Sequence, residues 1–266
     1  MKKIILLVLV ALSVVMCSAK KADTAGTESQ AKAEQVMPTK IVVGLDDTFA
    51  PMGFKDDKGE IVGFDIDLAK AVGQKLGIPV EFKSINWDSK VIDLNNKNID
   101  VIWNGLTITE ERKKEVLFTN PYLQNSQVVV TKAGSTIVTK ADLKGKGVAA
   151  RSQSSGEEAL KKDPISKEGE EWKTFDQYDQ AFLDLEAGRV DAIVVDEIMA
   201  RYIQKTKETQ AKKALYAILT EDFGKEDYGI GARKADTLLV EKINAALKEL
   251  KKDGTFDKIY KQWFAK

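Results

Sequence analysis

Residues 63–103 read GFDIDLAKAVGQKLGIPVEFKSINWDSKVIDLNNKNIDVIW, and their apolar periodicity changes several times. Ile66, Ala69, Val72, Gly73 and Leu76 recur at helical spacing, which predicts a helix over residues 65–76, capped by Asp65 and closed by Gly77 and Pro79. Val80 and Phe82 flank Glu81 in a short strand. Residues 89–97 are expected to form a second helix with Val91, Ile92 and Leu94 buried, and residues 99–103 a buried strand. Strand and helix thus take turns.

The alternation extends outward from this stretch. Residues 40–44 (KIVVG) form the strand before it. Residues 147–150 and 190–195 read as strands, and residues 155–162, 177–187 and 197–205 as helices. Two amphipathic helices, residues 236–252 and 256–264, end the chain around Asp253 and Gly254. Such alternation implies an α/β fold whose mostly parallel sheets are covered by helices.

Composition narrows the chemistry. The 266 residues hold 41 basic and 41 acidic side chains, a balance without the basic excess expected of a nucleic-acid binder. There is no histidine, which excludes Ser-His-Asp and Cys-His nucleophile systems and His-ligated zinc. A single cysteine, Cys17, excludes an internal disulfide and a thiolate cluster. Carboxylate chemistry, lysine chemistry or binding without catalysis remain; no cofactor and no metal are expected.

Lys2 and Lys3 precede an apolar run over residues 4–15 that is too short to span a bilayer. Residues 1–16 are therefore expected to be a signal peptide, and Cys17 the lipidated first residue of a lipoprotein. The other reading is a secretory peptide cut after Ala19. Residues 17–37, rich in Ala, Lys, Glu, Ser and Thr, read as a flexible tether.

In open α/β sheets, ligands bind beyond the carboxyl ends of strands. The segments placed there are 46–54, 104–109, 151–156 and Asp196. They contain arginine, aspartate, hydroxyls and aromatics, a set that suits a free amino acid.

At these residues the sequence resembles the amino-acid branch of the bacterial periplasmic solute-binding proteins of type II (family 3), the capture subunits of ABC importers. The resemblance rests on residues 63–76, on NGLTITEER (104–112), FTNPY (118–122), DLKGK (142–146), GRVDAIVVD (188–196) and DGTFDKIYKQWF (253–264). It implies two lobes, each a sheet flanked by helices, joined by two crossover strands. Lobe one would comprise residues 38–126 plus 229–266, lobe two residues 131–224, with the hinge at 127–130 and 225–228. It also implies a monomer outside the cytoplasmic membrane that closes on its ligand and delivers it to a permease and ATPase complex.

Carried over by position, Arg112 would hold the ligand α-carboxylate through a bidentate pair, helped by Thr107 and by the backbone at Ser154 and Ser155. Asp196 and the Gly105 carbonyl would face the α-ammonium. Phe49 and Trp87 would cover the side-chain stem, with Asp46 and Arg151 at its far end. Gln153 stands where that family carries glycine, and Asp65 and Asp67 are assigned to capping and surface. If Asp46 pairs with Arg151, a neutral polar side chain such as glutamine (or cystine) is favoured; if Arg151 points away, lysine or arginine fits. The same fold also hosts a periplasmic dehydratase and sensor domains, but no residue here stands out as its proton donor.

Overall fold

The structure, a computed structural model, describes residues 36–167 and 172–264. The expected leader, Cys17 and nearly all of the tether lie outside the described residues. Among the described residues, twelve strands and eight helices follow in chain order, interspersed with short 3-10 turns. The strands are β1 (Ile41–Leu45), β2 (Thr48–Phe49), β3 (Gly53–Lys55), β4 (Ile61–Val62), β5 (Val80–Ser84), β6 (Val101–Thr107), β7 (Leu117–Phe118), β8 (Leu123–Lys132), β9 (Val148–Arg151), β10 (Lys173–Phe175), β11 (Ala192–Asp196) and β12 (Tyr216–Ala232). The helices are α1 (Phe64–Leu76), α2 (Lys90–Asn95), α3 (Glu110–Glu115), α4 (Ser155–Lys162), α5 (Tyr178–Glu186), α6 (Glu197–Ala211), α7 (Thr237–Lys252) and α8 (Thr255–Phe264).

The large sheet runs β10-β9-β11-β8-β12-β6-β1-β5, with β7 against β12. On one side β5, β1 and β6 are parallel; on the other β10, β9 and β11 are parallel. Between them β8 and β12 run antiparallel to each other and pass from one half to the other. Their register is interrupted between Ile218 and Asp222 and again between Asp222 and Lys225.

Strand burial explains the apolar runs. In β11, Ile193 and Val195 join the main core while Ala192 and Val194 pack into a second cluster with Val129, Val148 and Leu160. In β6, Val101 and Trp103 face the main core and Ile102 and Leu106 a third cluster around Trp87, Leu94 and Ile99. Alternate residues point to opposite faces, and both faces are covered.

Three expectations are corrected here. Helix α1 is capped by Gly63, not Asp65. Gly63 adopts φ 144°, and a β-carbon there would lie 2.3 Å from the Met52 carbonyl oxygen, so only glycine fits. Backbone carbonyls of Pro51 and Met52 accept the Phe64 and Asp65 N–H groups, leaving no need for a side-chain cap. Second, α2 turns so that Ile92 is 62% exposed and Lys90 is buried instead. Third, the strand expected to stop at Trp103 continues to Thr107, because β12 pairs along it.

Candidate functional site

The far end of the site begins where β1 stops. Asp46 is fixed by its own loop: its Oδ1 accepts the Thr48 N–H at 3.0 Å and the Thr48 hydroxyl at 2.7 Å, while its N–H donates to Asn104 Oδ1 at 3.1 Å. Its Oδ2 remains, and Arg151, at the carboxyl end of β9, donates Nη1 to it at 2.5 Å. This ion pair joins the two halves of the molecule, with side chains only 3% and 6% exposed. The guanidinium carbon lies 4.9 Å from the ring centre of Phe49, 4.6 Å from Trp87 and 5.2 Å from Tyr178. A cation enclosed by three rings and a carboxylate has traded its hydration for π faces and one fixed countercharge. The Nε of Arg151 and the indole Nε1 of Trp87 are buried donors without an acceptor among the described residues.

The other end is built on β6 and α3. Gly105 has φ +60°, and a β-carbon there would come within 2.9 Å of the Phe49 ring and 3.1 Å of the Tyr228 ring. Asp65, expected at a helix cap, is buried beneath Gly105; its Oδ2 accepts the Gly105 N–H at 2.8 Å and the Tyr122 hydroxyl at 2.9 Å. Burial raises the Asp65 pKa to about 7 against the pull of those donors. Thr109 caps α3 by accepting the Arg112 N–H at 3.2 Å, which aims the Arg112 side chain back across the strand end. Its Nη1 donates to the Thr107 carbonyl at 3.0 Å and its Nη2 to the Gln153 carbonyl at 3.1 Å, with Glu158 Oε1 3.2 Å away. Burial pushes the guanidinium pKa down, while Glu158 and Glu226 push it up.

The loop of the second half arrives opposite. Gln153 takes φ +49°, the left-handed conformation that glycine favours, and so preserves a glycine-like turn with a larger residue. Ser154 is the N-cap of α4: its hydroxyl accepts the Glu157 N–H at 3.1 Å and donates to the Arg151 carbonyl at 2.7 Å. It also accepts the Tyr178 hydroxyl at 3.2 Å, so the Ser154 side chain is fully engaged within its own half. Ser155 Oγ lies 3.0 Å from Thr107 Oγ1 and from Gln127 Nε2.

Asp196 ends β11 but caps nothing with its side chain. Its Oδ1 accepts the Tyr228 hydroxyl at 2.6 Å, Asn125 Nδ2 at 2.7 Å and Gln127 Nε2 at 2.8 Å. Burial raises its pKa, with the Tyr228 hydrogen bond acting in the opposite direction.

The structure places nine of the ten sequence-predicted residues along one seam between the halves, Asp46, Phe49, Trp87 and Arg151 at one end and Gly105, Thr107, Arg112, Ser155 and Asp196 at the other; the tenth, Ser154, spends its hydroxyl on capping α4. Asn125, Gln127, Tyr178, Lys90, Glu226 and Tyr228 were not foreseen. Lys90 donates to the Trp87 carbonyl at 3.0 Å and lies 5.0 Å from the Trp87 ring centre. Burial lowers its pKa to about 7, and the charges of Arg112 and Arg151 add to the effect. Among the described residues no group of three or more acidic, cysteine or histidine side chains could hold a metal ion, and no helix is long and apolar enough to cross a membrane.

This arrangement can be set beside known proteins. Residues 41–266 match the bacterial extracellular solute-binding proteins, family 3. The chain belongs to this family. It is 34% identical over 227 residues to the L-cystine-binding protein TcyJ of Escherichia coli (strain K12), covering 84% of this chain and 82% of that protein. An ABC uptake transporter substrate-binding protein from Streptococcus pneumoniae, solved with bound histidine, superimposes with a TM-score of 0.80 at 38% identity over 86% of this chain and 93% of its own. An ancestral arginine-binding protein bound to glutamine gives a TM-score of 0.78 at 45% identity over 87% of this chain and all of its own (100%). The fold is that of the type II periplasmic binding proteins, two lobes joined by the crossover strands β8 and β12.

Proposed function

We propose that this chain is the extracytoplasmic capture subunit of an ABC importer and that it binds a free, neutral polar amino acid, glutamine before others. One observation carries the choice of side chain: Arg151 fills the ring box of Phe49, Trp87 and Tyr178 and neutralises Asp46. A cationic ligand terminus would meet a like charge there at short range and in a desolvated setting, a repulsion of several kcal/mol. An amide suits the pair instead. Its oxygen accepts from Arg151, where Nε has no acceptor, and its NH₂ donates to Asp46. Cystine, whose distal head carries a carboxylate for Arg151 and an ammonium for Asp46, belongs to the same class of fit.

At the head, Arg112 takes the α-carboxylate, with the Ser155 N–H at the start of α4 opposite it. Asp196 and the Gly105 carbonyl take the α-ammonium. The ligand bridges the lobes and favours closure about segments 127–130 and 225–228. No step of bond making is assigned to the site. Cys17 carries the lipid that tethers the body, through residues 18–37, to the membrane beside the permease and ATPase.

A basic ligand is the second reading, because Asp46 with three aromatic rings is itself a cation receptor when Arg151 withdraws. A thermal-shift panel of the amino acids, cystine and ornithine, followed by titration calorimetry, separates the two. The proposal requires glutamine or cystine to bind more tightly than arginine and lysine; a preference for arginine of about tenfold or more, about 1.4 kcal/mol, would overturn it.

A further inference from the structure

Glu226 lies on β12, in register with Asn125 on β8. Its Oε1 accepts Asn125 Nδ2 at 2.6 Å and Gln127 Nε2 at 2.8 Å, and Thr107 Oγ1 is 2.9 Å away. The same two amide nitrogens serve Asp196 Oδ1 at 2.7 and 2.8 Å. A side-chain amide nitrogen carries two hydrogens, so Asn125 holds one oxygen of Asp196 beside one of Glu226, and Gln127 Nε2 faces the same two oxygens with Ser155 Oγ 3.0 Å away as a third acceptor. Carboxylates so placed repel unless a proton or a cation accompanies them.

No cation of the protein takes that place. Among the described residues neither carboxylate has a lysine or arginine nitrogen within salt-bridge distance, since Arg112 is held by two carbonyls and Glu158, and Arg151 by Asp46. We propose that Glu226 is a ligand-binding residue: with Asp196 it forms a two-carboxylate seat for the α-ammonium of the amino acid, and the ammonium replaces a proton that the empty pair shares. This rests on the reading of the site as an amino-acid receptor and adds to it a second countercharge and a released proton.

The surroundings fit. Burial, then the neighbouring Asp196 charge, raises the Glu226 pKa to about 7, and burial raises that of Asp196. Tyr178 and Tyr228 face the pair as neutral hydroxyls, both held protonated by burial and by the two carboxylates. The charges of Arg112 and Arg151 favour the ionised carboxylates from α3 and β9 but leave the raised direction in place. The sign follows. Below about pH 7 the empty pair keeps a proton, the arriving ammonium favours the doubly ionised form, and the proton leaves to the buffer. Apparent affinity then rises with pH up to about 7 and levels off above it. A carboxylic acid lacking the ammonium brings no replacement cation and is rejected.

Glu226→Gln tests the charge alone, because the glutamine Oε1 still accepts from Asn125, Gln127 and Thr107. Calorimetry with L-glutamine and with L-arginine at about pH 6.5, in two buffers of different ionisation enthalpy, counts the protons released. Both probes carry the same α-ammonium, so the outcome does not depend on side-chain preference. The wild type is expected to release a large fraction of about one proton with whichever probe binds, and E226Q close to none. At about pH 8, E226Q should bind about tenfold or more weakly while melting at the wild-type temperature in the absence of ligand. Equal affinity and equal proton release in E226Q would overturn the role of Glu226 while leaving the amino-acid reading intact. If neither probe nor any other amino acid binds the wild type, the amino-acid reading fails and this inference with it.

Discussion

Arg151→Ala is the sharpest perturbation of the site. The side chain contributes one arm of a buried ion pair and a cation held among three rings. Removing one partner of a buried pair costs about 3–5 kcal/mol when the other stays desolvated, and the lost ring contacts add about 0.5–2 kcal/mol. Both are upper limits if, as proposed, the lobes open, since Asp46 then regains water. On the proposed reading the loss falls on closure, which is coupled to ligand capture. The expected outcome is a weakening of glutamine binding by about 10- to 100-fold, or about 1.4–2.7 kcal/mol. Arginine should gain, because its guanidinium can occupy the vacated rings and pair with Asp46. Titration calorimetry with both ligands on both proteins reads the two changes independently. Unchanged glutamine affinity, or no gain for arginine, would refute the reasoning that Arg151 sets side-chain selectivity.

Further expectations follow from the same geometry. Arg112→Ala and Asp196→Ala should each cost about 2–5 kcal/mol of binding with the unliganded fold retained, as read by calorimetry and circular dichroism; near-wild-type affinity would place that residue outside the site. Gln153→Gly should raise the midpoint of chemical denaturation slightly, since a left-handed non-glycine residue costs about 1–2 kcal/mol against a glycine entropy penalty of about 0.5–1 kcal/mol. Lys90→Met should stabilise the protein at about pH 7 and lose that advantage as pH rises toward about 10: the folded-state pKa is depressed by burial, so the unfolded chain binds more protons in that window and wild-type stability climbs with pH. A pH-independent difference would show that Lys90 is not the titrating group. Cys17→Ala should move the protein from the detergent phase to the aqueous phase, and unchanged partitioning would remove the anchor.

Local pattern reached far in this chain because strand burial and helical spacing are properties of neighbouring residues. The helix expected over residues 65–76 is present as α1, and the buried strand expected over residues 99–103 is present within β6, which runs on to Thr107 through Gly105 at positive φ. Where the reading went astray, a distant partner decides. Asp65 is a sound cap in its own sequence, yet Gly105 and Tyr122, 40 and 57 residues away, draw it into the interior. Lys90 is buried against Trp87, and the charges of Arg112 and Arg151 act on it, neighbours that no helical wheel displays. Glu226 meets Thr107 across 119 residues. Polar residues in crossover strands, such as Gln127 and Glu226, were the available hint. Apolar periodicity is silent about them.

The seating of Arg151 has a consequence for kinetics. A guanidinium delivered by the protein's own strand is a competitor that never diffuses away, with an effective concentration that for a short tether is on the order of millimolar. On the proposed reading, free arginine or lysine at micromolar levels must displace it, and rejection of cations needs no steric bar. A neutral amide has no such rival for the guanidinium's outer edge. On this reading, discrimination rests on occupancy rather than shape, with Arg151 as the resident cation.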